Sequence, residues 1–139
     1  MILIDTNVFS EVTKPRPDDR VVDWLFERRN DTLLSTIVVA ELTVGIRTTR
    51  GRAHRTMLLG WLKRLIDRHA GRIVDFDLDA ASKWGEFGSA VLIREERVGS
   101  RAFDTLIAAQ ALDRGVPLAT RNWRHFEGIG LEVIDPWQR

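Results

Sequence analysis

Residues 1–11 read MILIDTNVFSE: four apolar residues, then a carboxylate at Asp5, then Thr6 and Asn7. An unalternating apolar run of this length is the pattern of a short strand buried on both faces, which belongs in a parallel sheet covered by helices. Asp5 then emerges at the carboxyl edge of that sheet, where open α/β folds place their ligand crevices. The same position suits a turn or cap residue that bonds nearby amides. Which role Asp5 has depends on the other acids that join it.

Working outward, the breaker-rich KPRPDD reads as a loop, and VVDWLFERR follows with Val21, Val22, Leu25 and Phe26 at helical spacing. TLLS is a second brief strand. Ser35 or Thr36 can cap a helix over 37–47, and Gly51 separates it from a second helix over 52–68 whose stripe is Met57, Leu58, Trp61, Leu62 and Leu65. GRIVDF reads as a third strand. A helix from 79 to about 97 turns Ala80, Trp84, Phe87 and Val91 inward, Gly99 interrupts, and a further helix spans about 102–114 before Gly115. VPLAT, with Pro117 near its start, and LEVID supply two more strands. Alternating strands and helices predict an α/β fold: a parallel β-sheet flanked by helices in an α/β/α sandwich, one domain over residues 1–139.

The composition is that of a globular protein, with 44% hydrophobic and 29% charged residues and a formal net charge of +1. No apolar run reaches the ~20 residues that span a bilayer, and no basic flank or signal core follows Met1, so no membrane role and a cytoplasmic location are expected. The absence of cysteine excludes disulfides, thiolate metal sites and cysteine nucleophiles. Near-zero net charge argues against nonspecific nucleic-acid binding by the whole surface. IRTTRGRAHR nevertheless gathers Arg47, Arg50, Arg52 and Arg55 with His54 and no acid, which reads either as a solvated helix end or as a set of phosphate contacts.

Two further acids sit where acids are uncommon. Glu41 lies in STIVVAELTVGI, and its helical neighbours Ile37, Val38, Val44 and Gly45 are all nonpolar. A buried carboxylate either neutralises or finds a cation, and no basic residue stands one turn away, so a metal or catalytic role competes with a salt bridge to a distant arginine. Asp104 stands in SRAFDTLIAAQALDRG beside Phe103, Leu106 and Ile107, with the small Ala108 and Ala111 following on its helix. A first-turn acid also suits the helix dipole. LATRNWRHF leaves its strand with Thr120, Arg121 and Asn122; Asn122 offers an amide or forms a turn. Converging Asp5, Glu41 and Asp104 would repel one another unless a divalent cation joined them, and an all-oxygen set suits Mg2+ or Mn2+. Such a cation activates water and neutralises phosphate charge, the two needs of phosphodiester hydrolysis.

Other features read as structural. Asp75, Asp77 and Asp79 in DFDLDAA lack the glycine and distal glutamate of a calcium loop and fit a strand exit with a helix cap. His54, His69 and His125 share no ligand spacing. Most tryptophans and phenylalanines fall on apolar helical stripes, whereas Trp123, following Asn122 in a loop, could stack on a base.

The motifs in their order resemble the PIN-domain nucleases over essentially the whole chain, and within them the VapC-type toxins of toxin-antitoxin modules, FitB-like branch. MILIDTNVFSE is similar to the family's opening strand with its acid, STIVVAELTVGI to its glutamate helix, AFDTLIAAQAL to its third acid and helix, and LATRNWRHF with VIDPW to its closing motifs. The resemblance implies a magnesium-dependent endoribonuclease with Asp5, Glu41 and Asp104 as metal-binding and catalytic acids and Asn122 as a fourth site residue. It implies RNA as substrate, a homodimer, and a small antitoxin whose carboxyl-terminal segment fills the toxin's groove and through which alone DNA is contacted. Many relatives carry aspartate where this chain has Asn122, which favours one metal ion over two. A second reading is a degenerate nuclease that only holds its antitoxin. A phosphotransferase of the receiver or haloacid-dehalogenase kind also places an aspartate after the first strand, but the latter needs a second acid where Asn7 stands.

Overall fold

The computed structural model describes residues 1–94 and 102–138. In chain order its elements are β1 (Ile2–Ile4), α1 (Thr6–Glu11), α2 (Asp19–Glu27), β2 (Thr32–Ser35), α3 (Thr36–Arg47), α4 (Arg52–Arg68), β3 (Ile73–Val74), α5 (Leu78–Arg94), α6 (Ala102–Arg114), β4 (Leu118–Ala119) and β5 (Val133–Ile134). Two 3₁₀ turns, Trp123–Phe126 and Pro136–Gln138, follow β4 and β5. The inward placement expected of Val91, the helix end near residue 97 and the break at Gly99 lie outside the described residues.

The strands form one parallel sheet in the order β3-β2-β1-β4-β5, as an α/β fold requires. Ile4 pairs with Leu34 on one side and Ala119 on the other. Leu3, Ile4, Leu34, Leu118 and Ala119 are wholly buried, which explains why these strands read as solid apolar runs. Pro117 lacks an amide hydrogen, yet its carbonyl accepts from Leu3 N–H at 3.0 Å, so the proline sits at a strand start without loss to the ladder. Strand order reverses between β1 and β4. That switch point opens beyond Asp5 and Thr120.

Helix ends follow their local chemistry. Asp18 caps α2 by accepting from Arg20 N–H, and Ser35 caps α3 by accepting from Ile37 N–H. Asp77 caps α5 through Ala80 N–H at 2.9 Å, so the alternating aspartates serve a helix start. Gly115 closes α6 at φ 65°, a conformation that favours glycine. The alanines of α6 let it approach α3 and α5 closely: Ala108, Ala109 and Ala111 have no exposed surface.

One element is added and two expectations need correction. The stretch after Asp5 forms the short helix α1, because Asp5 accepts Thr6 N–H and starts a turn too brief to show periodicity. On α2 the buried stripe is Val21 and Trp24, whereas Phe26 is 67% exposed beneath the Arg29 guanidinium. On α4, Leu58, Leu62 and Leu65 are buried, but Met57 lies a full residue off that stripe and is exposed.

His69, at the end of α4, is buried against β2 and meets the Phe9 ring edge-on. The Leu65 carbonyl can only accept, so His69 Nδ1–H donates to it at 2.8 Å, leaving Nε2 to accept from the Thr32 hydroxyl at 2.9 Å. The neutral ring is fully satisfied. Burial lowers its pKa from 6.5, so its contribution to stability is present above that value and is lost as pH falls below it. His69→Gln should therefore lower the melting temperature at pH 7.5, and the gap to wild type should narrow by pH 5. A gap that stays constant would contradict this.

Candidate active site at the switch point

Asp5 leaves β1 with its amide still bonded to the Ala119 carbonyl at 2.9 Å, and its side chain is 2% exposed. The carboxylate accepts Thr6 N–H at 2.7 Å on Oδ1, and the Thr120 hydroxyl at 2.6 Å and Asn7 Nδ2 at 3.1 Å on Oδ2. Asp5 is both a cap and a crevice acid. Thr120 is the hub of this arrangement: its hydroxyl oxygen also accepts from Asn7 Nδ2 and from Asn122 N–H. Asn7 completes the link by accepting Arg121 N–H on Oδ1.

Glu41 projects from α3 toward the same edge. Its Oε1 accepts the Thr6 hydroxyl at 3.0 Å, tying α3 to the first turn of α1. It is half-buried, and its helical neighbour Val44 is 62% exposed, so the expected apolar face is the rim of a cleft instead of deep core. That cleft, of about 320 Å³, runs between α1, α3 and α4 from Thr6 and Glu41 to Thr49 and Trp61. Arg55 donates to the Thr49 carbonyl at its far end, and Arg47, Arg50 and Arg52 are exposed around that mouth.

Asp104 enters from the first turn of α6, where its Oδ2 accepts His125 Nδ1–H at 3.1 Å. His125 escaped the sequence reading because it shares no spacing with another histidine. The signal lay in its distance from Asn122, one turn past the strand end. Asn122 is placed beside the site, but its side-chain amide bonds no described residue, and only its backbone joins the network.

Burial pushes the Asp5 carboxyl up to about 6, against the hydrogen bond from Thr120, and the negative charge of Asp104 adds to the rise. Burial likewise pushes Glu41 up to about 7, with Asp5 and Asp104 both contributing repulsion. The three acids therefore share one electrostatic environment. Among the described residues no lysine or arginine pairs with any of them. Glu11, equally buried, shows the contrast: the Lys14 ammonium at 2.6 Å and the Asp18 amide outweigh its burial and lower its pKa.

Among the described residues no three acidic or imidazole side chains are already gathered as a ligand set. Hydroxyls of Thr6 and Thr120 occupy the carboxylates instead, as repulsion between uncompensated acids dictates. The donor set is nonetheless chemically that of a hard divalent cation: carboxylate, hydroxyl and amide oxygens, with which no lysine or arginine among the described residues pairs.

Fold and site define an α/β domain with a carboxylate crevice at the switch point of its parallel sheet. The chain belongs to the PIN-domain family, whose model matches residues 2–130. It is 36% identical to the VapC ribonuclease Y4jK of Sinorhizobium fredii over 140 residues, covering 99% of both chains. It is 34% identical to toxin FitB of Neisseria gonorrhoeae, again over 99% of each. The structure of FitAB bound to an IR36 DNA fragment superposes with a TM-score of 0.87 at 33% identity, covering 99% of this chain and 96% of that one.

Proposed function

We propose that this chain, acting as a single domain over residues 1–139, is a magnesium-dependent endoribonuclease and the toxin of a toxin-antitoxin module. The observation that carries the reading is the pair Asp5 and Glu41, two carboxyls raised by burial and then by repulsion from neighbouring acids, Asp104 acting on both, with no basic partner among the described residues. Charge held in that state is matched by a cation. The relatives named ribonuclease and toxin support the same activity.

Asp5, Glu41 and Asp104 would hold the ion, Mg2+ or Mn2+, with the Asn122 amide free to orient water or add an oxygen. When bound, the ion supplies an activated water and neutralises charge on the scissile phosphate. The chain's own residues do the positioning. Thr120 and Asn7 fix the Asp5 carboxylate, Thr6 fixes Glu41, and His125 orients Asp104. The arginines at the cleft mouth draw in phosphate backbone. The cleft from Glu41 to Trp61 receives the carboxyl-terminal segment of a small antitoxin, through which the complex reaches DNA, and the active form is a cytoplasmic homodimer. Among the described residues no helix is long and apolar enough to cross a membrane.

The Asn122 amide, which bonds no described residue, also fits a second reading, an antitoxin-binding module without activity. Calorimetry separates the two. The nuclease reading expects magnesium binding that strengthens from pH 5.5 to 8, because Asp5 and Glu41 must lose protons near pH 6 and 7; below those values affinity falls ~tenfold per pH unit for each protonated carboxyl. Cleavage of RNA by partner-free protein should follow the same profile. Tight partner binding with no magnesium heat would establish the module instead.

A further inference from the structure

A cavity of about 650 Å³ lies outside the acidic crevice, on the far side of the Trp123–Phe126 turn. In a 3₁₀ turn residues three apart share a face. Trp123 and Phe126 accordingly line this cavity together, while His125 points the other way onto Asp104. One turn of chain thus separates the two spaces. Leu131 and Val133 add apolar wall, and Glu127, Asp135 and Gln138 add polar groups.

We propose that this cavity is a nucleobase subsite: it takes the base flanking the scissile phosphate, stacked on Trp123, and prefers bases that carry an exocyclic amine. The proposal rests on the ribonuclease reading and deepens it. Size is adequate, since the volume falls within the range of small-ligand sites. Charge selects the part of the nucleotide that enters. Glu127 and Asp135 line the cavity, and among the described residues no basic side chain does, so a phosphate is disfavoured, while the amines of cytosine, adenine and guanine find acceptors. Uracil has no exocyclic amine and offers only its ring N3–H, a weaker match to two carboxylates. Trp123 is half-buried, and the Arg124 guanidinium lies 5.1 Å over its ring, so a base on the indole extends a stack already begun. A phosphate at the carboxylates and its neighbouring base would straddle the turn.

The test is fluorescence anisotropy with labelled ten-nucleotide oligocytidylate, oligoadenylate and oligouridylate, on the full chain with EDTA present to suppress cleavage. Wild type should bind the cytidylate and adenylate several-fold tighter than the uridylate. Trp123→Ala should weaken those two by ~5- to 100-fold, the range of one base stack, while Trp123→Phe stays close to wild type. Glu127→Gln, at an exposed side chain, leaves Asp135 as the remaining carboxylate and should reduce the preference over uridylate, and it keeps the test decisive if Trp123→Ala fails to fold. Wild-type affinity in Trp123→Ala, equal losses in the Ala and Phe variants, or binding blind to base would overturn the subsite. Failure of the nuclease reading looks different: no magnesium-dependent cleavage by wild type, with the Trp123-dependent binding intact.

Discussion

Asp5→Asn should eliminate RNA cleavage and make the metal-free protein more stable. The two effects have one cause. On the proposed reading, replacing the central carboxylate would remove a ligand charge, and loss of the transition-state stabilisation that a cation would supply is expected to slow cleavage by ~10³-fold or more. For stability the sign is opposite. Asp5 has its folded pKa raised from 3.8 to about 6, so its favourable contribution is complete below 3.8 and is lost as pH rises through about 6. Two pH units correspond to about 3 kcal/mol at pH 8. The amide variant escapes most of that, less whatever its NH₂ forfeits among the donors of Thr120, Asn7 and Thr6. Melting in EDTA at pH 8 should rise by several degrees. Magnesium should then stabilise wild type and leave the variant unmoved. A variant that melts lower than wild type in EDTA would show that Asp5 is a structural cap first.

The second large effect is expected at Gln110, far from solvent on α6. Its Oε1 accepts the Ser35 hydroxyl and its Nε2 donates to the Val74 carbonyl at 3.2 Å. One side chain thereby clamps α6 to the start of α3 and to β3. Gln110→Leu keeps the volume but strands the Ser35 hydroxyl and weakens the pairing of the Val74 carbonyl, with an expected loss of about 2–4 kcal/mol. Thermal unfolding should register a drop near 10 °C. Because α3 carries Glu41 and α6 carries Asp104, cleavage per folded molecule should also fall, by ~10-fold or more. An unchanged rate in the folded variant would confine Gln110 to stability.

The sequence made the alternation of strands and helices legible because the buried strands are built on short apolar runs around Leu3, Ile4, Leu33, Leu34 and Leu118, and α4 and α6 are long enough to show their period. It did not show α1, whose six residues include Thr6, Asn7 and Ser10 and which exists because Asp5 caps it. Phe26 misled because apolar spacing says which residues share a helical stripe, not which stripe faces inward. The positions of Asp5, Glu41 and Asp104 were readable, since each acid stood against apolar neighbours. Their supports were not. Thr6, Asn7 and Thr120 are common turn residues, and only strand pairing across 115 positions brings the Thr120 hydroxyl to Asp5. His125 finds Asp104 through the orientation of a single 3₁₀ turn, which no local pattern encodes.

The central placement of β1 has a temporal consequence. Its partner β2 lies nearby in the chain, so that edge pairs early, whereas its other edge waits for β4 at Leu118–Ala119. Until that crossover returns, Ile2, Leu3 and Ile4 present a bare apolar edge, the kind that recruits strands from other molecules. Asp5 meanwhile lacks Thr120. The amides of Leu3 and Asp5, which bond the Pro117 and Ala119 carbonyls, gain protection only at that last closure. A chain arrested before Leu118 would therefore carry all three acids and no site, adhesive but harmless to its substrate.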